Sequence, residues 1–253
     1  MIEAPRAERT APRPWAIVSA MHEELRALVP SLREARSVRL AGRNFHLGVL
    51  AGKPVVLVLS GIGKVAAATT ATLLIHEFAA QALLFTGVAG GLDADVRVGD
   101  VVLARELLQH DMDASPLFPR FEVPLTGRSH FATDGALTDG LKAAVQRCLA
   151  RVGQAPGAPA RLHEGLVVSG DRFVSSAAEA QALGALLPQA LAVEMEGAAL
   201  AQVCADFGRP FAVLRTISDR ADDSAHVDFG RFIAEVASVY TRAIVEDWLA
   251  ALP

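Results

Sequence analysis

Short, unbroken apolar runs recur along the chain and alternate with longer segments of helical periodicity. A strand with one face in water alternates apolar and polar side chains, so a continuous Val/Leu/Ile run indicates a strand buried on both faces. The sequence therefore predicts an α/β fold in which helices pack against a central sheet. The predicted strands lie at 15–20, 43–50, 54–60, 82–87, 99–111, 164–170, 191–195 and 211–218.

Helical periodicity fills most of the intervals between these runs. The expected helices span 21–29, 63–78, 134–152, 176–187, 197–207 and 227–249, and Asp134 or Asp139 is the expected cap of the third. Residues 113–131 and 153–162 follow neither period and are expected to be irregular. The glycine-rich TGVAGG (86–91) is either a tight turn with positive φ or a place where backbone approaches a flat ligand closely.

Length, composition and charge exclude several classes of protein. With 253 residues, 52% of them hydrophobic, the chain suits one large domain, which we place at 15–253 after a disordered leader at 1–14. A net charge of −4 and scattered arginines predict no nucleic-acid or membrane partner. Apolar runs stay well short of the ~18 residues of a membrane span. Cys148 and Cys204 are expected to be free thiols in a reducing cytoplasm.

Small and acidic residues follow the predicted strands. In open α/β sheets, ligands bind outside the carboxyl ends of the strands, so we expect these segments to meet at one site. They are Met21–Glu24, SGIGK (60–64), TGVAGG, SGDRF (169–173), EME (194–196) and SDRAD (218–222).

Several common motifs are absent. SGIGK is not a phosphate loop, because Val58 and Val65 occupy the positions that require Gly and Ser or Thr. TGVAGG lacks the spacing of a dinucleotide fingerprint. Neither metal-ligand spacing nor a G-x-S-x-G elbow occurs, so the sequence predicts no metal site.

Two glutamates, Glu194 and Glu196, lie inside the apolar stretch LAVEMEGAAL. A carboxylate removed from water costs several kcal/mol unless it is paired or hydrogen-bonded, so each should have a partner. From the residues alone, Glu196 could cap the following helix, Asp219 could cap a loop, and Glu24 could be an exposed helical residue.

Seven segments, taken together, resemble the 5′-methylthioadenosine/S-adenosylhomocysteine nucleosidases of the purine nucleoside phosphorylase superfamily. The resemblance implies a three-layer α/β/α sandwich with a central mixed β-sheet, a homodimer, a nucleoside substrate and no cofactor. The segments, in order, are AMHEEL, SGIGKVAAATTATLL, TGVAGGLDADVRVGDVV, QHDMD, GLVVSGDRFV, AVEMEGAALAQVC and RTISDRAD.

The resemblance also implies roles for single residues. Asp219 matches the general acid that protonates adenine at N7, and a carboxyl group in an apolar pocket can hold its proton near neutral pH. Glu24 matches the base that activates water, and Glu196 matches the acceptor of the ribose 2′- and 3′-hydroxyls. Glu194 is expected to pair with Arg215.

The remaining implied contacts surround the ligand. Phe173 would stack on the purine, the Val174 backbone would contact the edge of the purine, and Met195 would pack against the sugar. Aromatic residues of 114–125 would cover the 5′ substituent, across a dimer interface. The other expected binding residues are Ile62, Ala89, Gly90, Arg215, Ser218 and Phe229.

Three departures from the family pattern leave alternatives open. Val88 stands where relatives carry Ser or Thr, Gly197 replaces an alanine, and residues 113–131 do not match. A phosphorolytic enzyme would need arginines such as Arg120, Arg128 and Arg215 at the site. Hydrolysis of another modified adenosine is a second alternative. A catalytically silent binding or storage protein is a third, although Glu24, Glu196 and Asp219 are all present.

Overall fold

In the computed structural model, the described residues are 12–152, 159–222 and 238–252, without the side chains of 23, 24, 152 and 238–240. The boundary between a leader at 1–14 and a domain at 15–253 stays a prediction. The strands are β1 (Trp15–Ser19), β2 (Arg33–Leu40), β3 (Arg43–Leu50), β4 (Lys53–Leu59), β5 (Ala82–Gly91), β6 (Val101–Gln109), β7 (His130–Ala132), β8 (Leu162–Ser169), β9 (Ala190–Glu194) and β10 (Phe211–Asp219). The helices are α1 (His22–Leu25), α2 (Lys64–His76), α3 (Gly135–Val152), α4 (Ala177–Leu186), α5 (Gly197–Asp206) and α6 (Ser238–Ala251), with a 3₁₀ turn at Val29–Ser31.

The ten strands of the described residues form one mixed sheet, which confirms the predicted fold class. Its order is β2–β3–β4–β1–β5–β10–β6–β8–β9, and β7 pairs with β6. Strands β1, β4, β5 and β10 run parallel, whereas β6 is antiparallel to β10. The end of β5 also pairs with β9, which closes five strands into a ring.

Neighbouring residues of one strand belong to different hydrophobic layers. Ala16 and Val18 pack in a cluster that includes Leu74 of α2 and Leu200 of α5. Ile17, between them, packs in a second cluster with residues of α3 and α6. Both faces of the strand are therefore buried, which is the physical reason that the run is apolar from Trp15 to Val18.

Most element boundaries agree with the sequence within a few residues, and Asp134 caps α3 by accepting a hydrogen bond from the Leu137 N–H at 2.9 Å. The helix predicted at 21–29 is wrong in length, since α1 ends at Leu25. Pro30 contributes to the difference, because it has no N–H to donate to the Arg26 carbonyl of a continuing helix, and the chain forms the 3₁₀ turn Val29–Ser31 there instead. For the helix predicted at 227–249, residues 227–237 lie outside the described residues.

Two further differences concern β-structure. TGVAGG is not a tight turn, because it continues β5 through Gly91, where it pairs with β10 and β9. Strand β2 was not predicted. Seven of its eight residues are exposed and only Leu40 is partly buried, so it carries no hydrophobic pattern. In the part of the chain that the structure describes, no helix is both long and apolar enough to cross a membrane.

Candidate active site

A cavity of about 420 Å³ lies where the carboxyl ends of six strands meet. Its walls come from the ends of β1, β5, β8, β9 and β10 and from the loop between β4 and α2. This is the convergence that the strand-end rule predicts. The lining residues are Ala20, Met21, Ile62, Phe85, Thr86, Gly87, Val88, Ala89, Gly90, Arg172, Phe173, Val174, Val193, Glu194, Met195, Glu196, Arg215, Ser218 and Asp219.

Glu194 is the centre of a buried hydrogen-bond network beneath this cavity. Its carboxylate accepts bonds from the backbone N–H groups of Glu196 at 3.1 Å and Gly197 at 2.9 Å, and from the Ser169 hydroxyl. The Ser169 Oγ in turn accepts the Ala198 N–H at 2.7 Å. Together the two side chains satisfy the N-terminal N–H groups of α5, where negative charge is favourable.

Arg215 completes this network as the ion-pair partner of Glu194. Its Nη2 lies 2.7 Å from the Glu194 Oε2, and the two side chains are 1% and 3% exposed. Its Nη1 donates to the carbonyls of Leu214 and Phe85, and the guanidinium lies 4.1 Å from the centre of the Phe85 ring. Its Nε atom has no hydrogen-bond partner among the described residues. The expected pairing of Glu194 with Arg215 is confirmed.

Glu196 is also buried, but its carboxylate points to a different element. Its Oε1 accepts the backbone N–H of Gly63 at 2.7 Å, at the N-terminus of α2. The Glu196 backbone stands at the N-cap position of α5, yet its side chain makes no capping bond there. The alternative in which Glu196 caps its own helix is therefore wrong, because the Glu194 carboxylate accepts the first N–H groups of α5 instead.

Asp219 is 1% exposed and is held by its own loop. Its Oδ1 accepts the Ala221 N–H at 2.8 Å, and its Oδ2 accepts the Ser218 hydroxyl at 2.8 Å. A side chain at residue 90 would place a Cβ 2.8 Å from the Asp219 Oδ1, so Gly90 is required for this close approach. Backbone of TGVAGG was expected to lie close to a flat ligand. At Gly90 it lies close to the Asp219 carboxylate, a group of the protein itself.

The rest of the cavity wall is largely apolar. Val174 is buried, Met195 and Val88 are half-buried, and Phe173 and Ile62 are 42% and 60% exposed. A flat apolar ring system could therefore lie between Phe173 and the β5 backbone, with carboxylates in reach of its polar edges. Among the described residues, no group of three or more His, Cys, Asp or Glu side chains is placed to hold a metal ion.

Ten of the predicted site residues line this one cavity. Glu24 lies in α1, three residues beyond the cavity-lining Met21, but its side chain is outside the described residues, as is all of Phe229. Phe85 also lines the cavity and was not predicted, because it lies in an apolar run that indicates only a core position. Thr86 and Arg172 belong to the predicted segments TGVAGG and SGDRF, but neither was singled out as a site residue. The ten residues are Ile62, Ala89, Gly90, Phe173, Val174, Met195, Glu196, Arg215, Ser218 and Asp219.

Residues 113–131 do not contribute to the cavity within one chain. Arg120 lies 3.7 Å from Asp113 and over the Phe121 ring, and Arg128 is exposed beside Val123. Phe121 is partly buried and packs against a small apolar cluster. Covering of a 5′ substituent by this loop therefore stays a prediction that requires a second chain.

Comparison with known proteins gives the same result for sequence and structure. Residues 14–249 match the Phosphorylase superfamily. The 5′-methylthioadenosine/S-adenosylhomocysteine nucleosidase of Shewanella pealeana is 37% identical over 219 residues, which are 87% of this chain and 91% of the relative. The nucleosidase of the same name from Shewanella baltica is 38% identical over 219 residues, 87% of this chain and 89% of the relative.

Solved structures of such nucleosidases share the fold. The Neisseria meningitidis enzyme, in complex with methylthio-immucillin-A, superposes with a TM-score of 0.86 at 36% identity, over 95% of this chain and 100% of that one. The Streptococcus pyogenes S-adenosylhomocysteine nucleosidase, bound to 5-methylthiotubericidin, gives 0.85 at 30% identity, over 97% and 99%. The chain therefore belongs to the phosphorylase superfamily and, within it, to the family of 5′-methylthioadenosine/S-adenosylhomocysteine nucleosidases.

Proposed function

We propose that this protein hydrolyses the N-glycosidic bond of 5′-methylthioadenosine and of S-adenosylhomocysteine, releasing adenine and the 5-thioribose product. The observation that carries the proposal is the placement of two buried carboxyl groups, Asp219 and Glu196, in one largely apolar cavity. Each is oriented by a backbone N–H, and they lie on different walls. Asp219 can protonate the adenine, and Glu196 can bind the ribose.

Asp219 is the proposed general acid. Adenine leaves poorly as an anion, and protonation at N7 makes it a neutral leaving group. The apolar surroundings favour the neutral form of a carboxyl group. The bonds from Ser218 and Ala221 fix its orientation, so that proton transfer needs no rearrangement of the side chain.

Glu196 is the proposed ligand of the ribose 2′- and 3′-hydroxyls. As the glycosidic bond stretches, the sugar becomes oxocarbenium-like, much as in glycoside hydrolysis. A carboxylate that accepts both hydroxyls holds the ring in place and stabilises the positive charge that develops on it. Met195, next in the chain, packs against the sugar, and Phe173 stacks on the purine.

Glu24 is the proposed general base. It follows β1 in a short helix, beside the cavity-lining Ala20 and Met21. Deprotonation of a water there would supply the nucleophile that attacks the anomeric carbon as adenine departs. Val88 offers no hydroxyl to help hold this water.

The arginines support hydrolysis over phosphorolysis. A phosphate site needs several guanidinium donors directed at one anion. Both Nη groups of Arg215 are already bonded to protein atoms, and Arg172 on the cavity rim pairs with Glu179. Arg120 and Arg128 do not line the cavity.

Adenine release from 5′-methylthioadenosine, S-adenosylhomocysteine and adenosine, each with and without phosphate, tests the proposal. We expect release without phosphate, with a free ribosyl product and a preference for the thio-substituted nucleosides. Asp219→Asn should lower kcat by about 10²–10⁴-fold. Asp134→Asn, a matched change at the cap of α3, should leave it unchanged. Release that requires phosphate would refute the proposal, as would full activity of Asp219→Asn.

We also propose a cytoplasmic homodimer. Four apolar side chains near the cavity mouth and in the 113–131 loop are largely exposed in one chain, as is typical of association surfaces. A mass of two chains by light scattering is expected, and a monomer would contradict it. The four are Ile62, Val65, Leu117 and Leu125, which are 60%, 78%, 83% and 89% exposed.

A further inference from the structure

The N-terminus of α2 is held by carboxylates from two other strand ends. Its N-cap residue is Gly63, which has no side chain to cap the helix. Instead the Gly63 N–H donates to the Glu196 Oε1, and the next N–H, of Lys64, donates to the Asp171 Oδ1, both at 2.7 Å. Glu196 and Asp171 therefore bind consecutive N–H groups of one backbone turn.

Asp171 is itself fixed by a closed ring of hydrogen bonds. Its backbone N–H donates to the Asp111 Oδ2 at 2.9 Å, and the Asp111 Oδ1 accepts the Lys64 Nζ at 2.6 Å. Lys64 thus contacts the ring twice, through its backbone and through its ammonium group. Partial burial would raise the pKa of Asp111, but the bonds from Lys64 and from the Asp171 N–H outweigh it and lower that pKa.

Gly63 connects this ring of hydrogen bonds to Glu196, because it precedes Lys64 and its own N–H binds the Glu196 carboxylate. Gly63 has φ +95°, a conformation that only glycine adopts readily, and a Cβ there would lie 3.0 Å from the Asp171 Oδ1. Such a flexible residue does not hold its own N–H in one direction. The Gly63 N–H and the Lys64 N–H belong to the two peptides that meet at the Gly63 Cα, so the bond from Lys64 to Asp171 holds one side of this turn while the Gly63 N–H reaches Glu196 from the other.

We propose that Asp171, held by Asp111 and Lys64, is a positioning residue for Glu196: it fixes the Gly63 N–H that orients the Glu196 carboxylate toward the ribose hydroxyls. This inference rests on the proposed function, in which Glu196 binds those hydroxyls. Asp171 touches no substrate in this scheme. Its effect reaches the sugar only through Gly63 and Glu196.

The test compares substrates that carry or lack the hydroxyls. For each variant, kcat/KM is measured for 5′-methylthioadenosine and for its 2′-deoxy and 3′-deoxy analogues, and is divided by the wild-type value on the same substrate. This division removes the different intrinsic reactivities of the nucleosides. Asp171→Ala removes the acceptor, Asp171→Asn keeps it, and Asp134→Ala removes a carboxylate cap of the same kind from α3.

We expect Asp171→Ala to lose about tenfold on 5′-methylthioadenosine, comparable to the loss of one hydrogen bond, and much less on the deoxy analogues. Asp171→Asn should stay within about twofold of wild type, because its Oδ1 still accepts the Lys64 N–H. Asp134→Ala should change all three substrates equally and little. Asp111→Ala should repeat the selective loss, since it removes both the acceptor of the Asp171 N–H and the ion-pair partner of the Lys64 ammonium.

An equal loss on all three substrates in Asp171→Ala would overturn the proposal, because the effect would then act through Phe173 or through general folding. Unchanged activity in that variant would overturn it as well. Both results leave the proposed function intact, whereas absence of turnover in the wild-type protein would refute the function itself.

Discussion

Replacement of Glu194 by alanine tests whether the buried network beneath the cavity holds the fold together. The change removes the ion-pair partner of Arg215, which is 1% exposed, and the acceptor of the first N–H groups of α5. The guanidinium would keep its bonds to two backbone carbonyls but would be left as an uncompensated buried charge.

The size of the effect follows from these losses. Breaking a buried ion pair by removing one partner costs about 3–5 kcal/mol. Loss of a helix cap costs about 1 kcal/mol. Because both losses share one carboxylate, they do not simply add, and we expect the free energy of unfolding to fall by about 4 kcal/mol. For a chain of this size, that lowers Tm by roughly 10 °C.

Thermal and urea unfolding, followed by circular dichroism, measure this difference. Glu246→Ala is the control, because it breaks an exposed i,i+4 pair with Arg242, at 2.9 Å, and should cost no more than about 0.5 kcal/mol. The double change Glu194→Ala with Arg215→Met should recover part of the loss, since it also removes the unpaired charge. If Glu194→Ala were as stable as Glu246→Ala, the reasoning about the buried pair would be refuted.

Three further outcomes are expected. Gly90→Ala should lower kcat at least tenfold, because the new Cβ would lie against the Asp219 Oδ1. Gly184→Ala is the control and should leave kcat unchanged, because a Cβ at residue 184 would have nothing within 4 Å. Equal rates in the two variants would contradict the close approach. Val88→Ser, which returns a hydroxyl to the cavity wall, should raise the hydrolytic rate by up to about tenfold, and an unchanged rate would show that residue 88 does not help hold the water. Cys148 and Cys204 are buried, and burial raises the pKa of the Cys204 thiol. Neither cysteine should therefore react with a thiol reagent until the protein is unfolded. Rapid labelling of the native protein would contradict this prediction.

The sequence by itself determined the class of fold and the region of the site. Continuous apolar runs such as that of β1 have no polar face, and a strand without a polar face must be covered on both sides. The strand-end rule then brought distant segments to one edge, and the structure places Ile62, Phe173, Glu196 and Asp219 around one cavity there. Family membership followed from the order and spacing of these segments.

Other features depended on contacts between distant parts of the chain. The glycine stretch is strand because β10 and β9 pair with it, and local preference alone cannot show such partners. Strand β2 is exposed except for the partly buried Leu40, so no periodicity revealed it. The bond between Lys64 and Asp171 joins residues 107 positions apart.

The two glutamates of the EME segment show the division clearly. Burial of both could be predicted from their apolar neighbours, and the pairing of Glu194 with Arg215 was anticipated. Their different hydrogen-bond partners are seen only in the tertiary structure, where Glu194 accepts N–H groups at the start of α5 and Glu196 accepts the Gly63 N–H. A sequence shows that a buried charge needs a partner. Which partner it finds depends on the packing of elements that are far apart in the chain, because hydrogen bonds are decided by distance and direction.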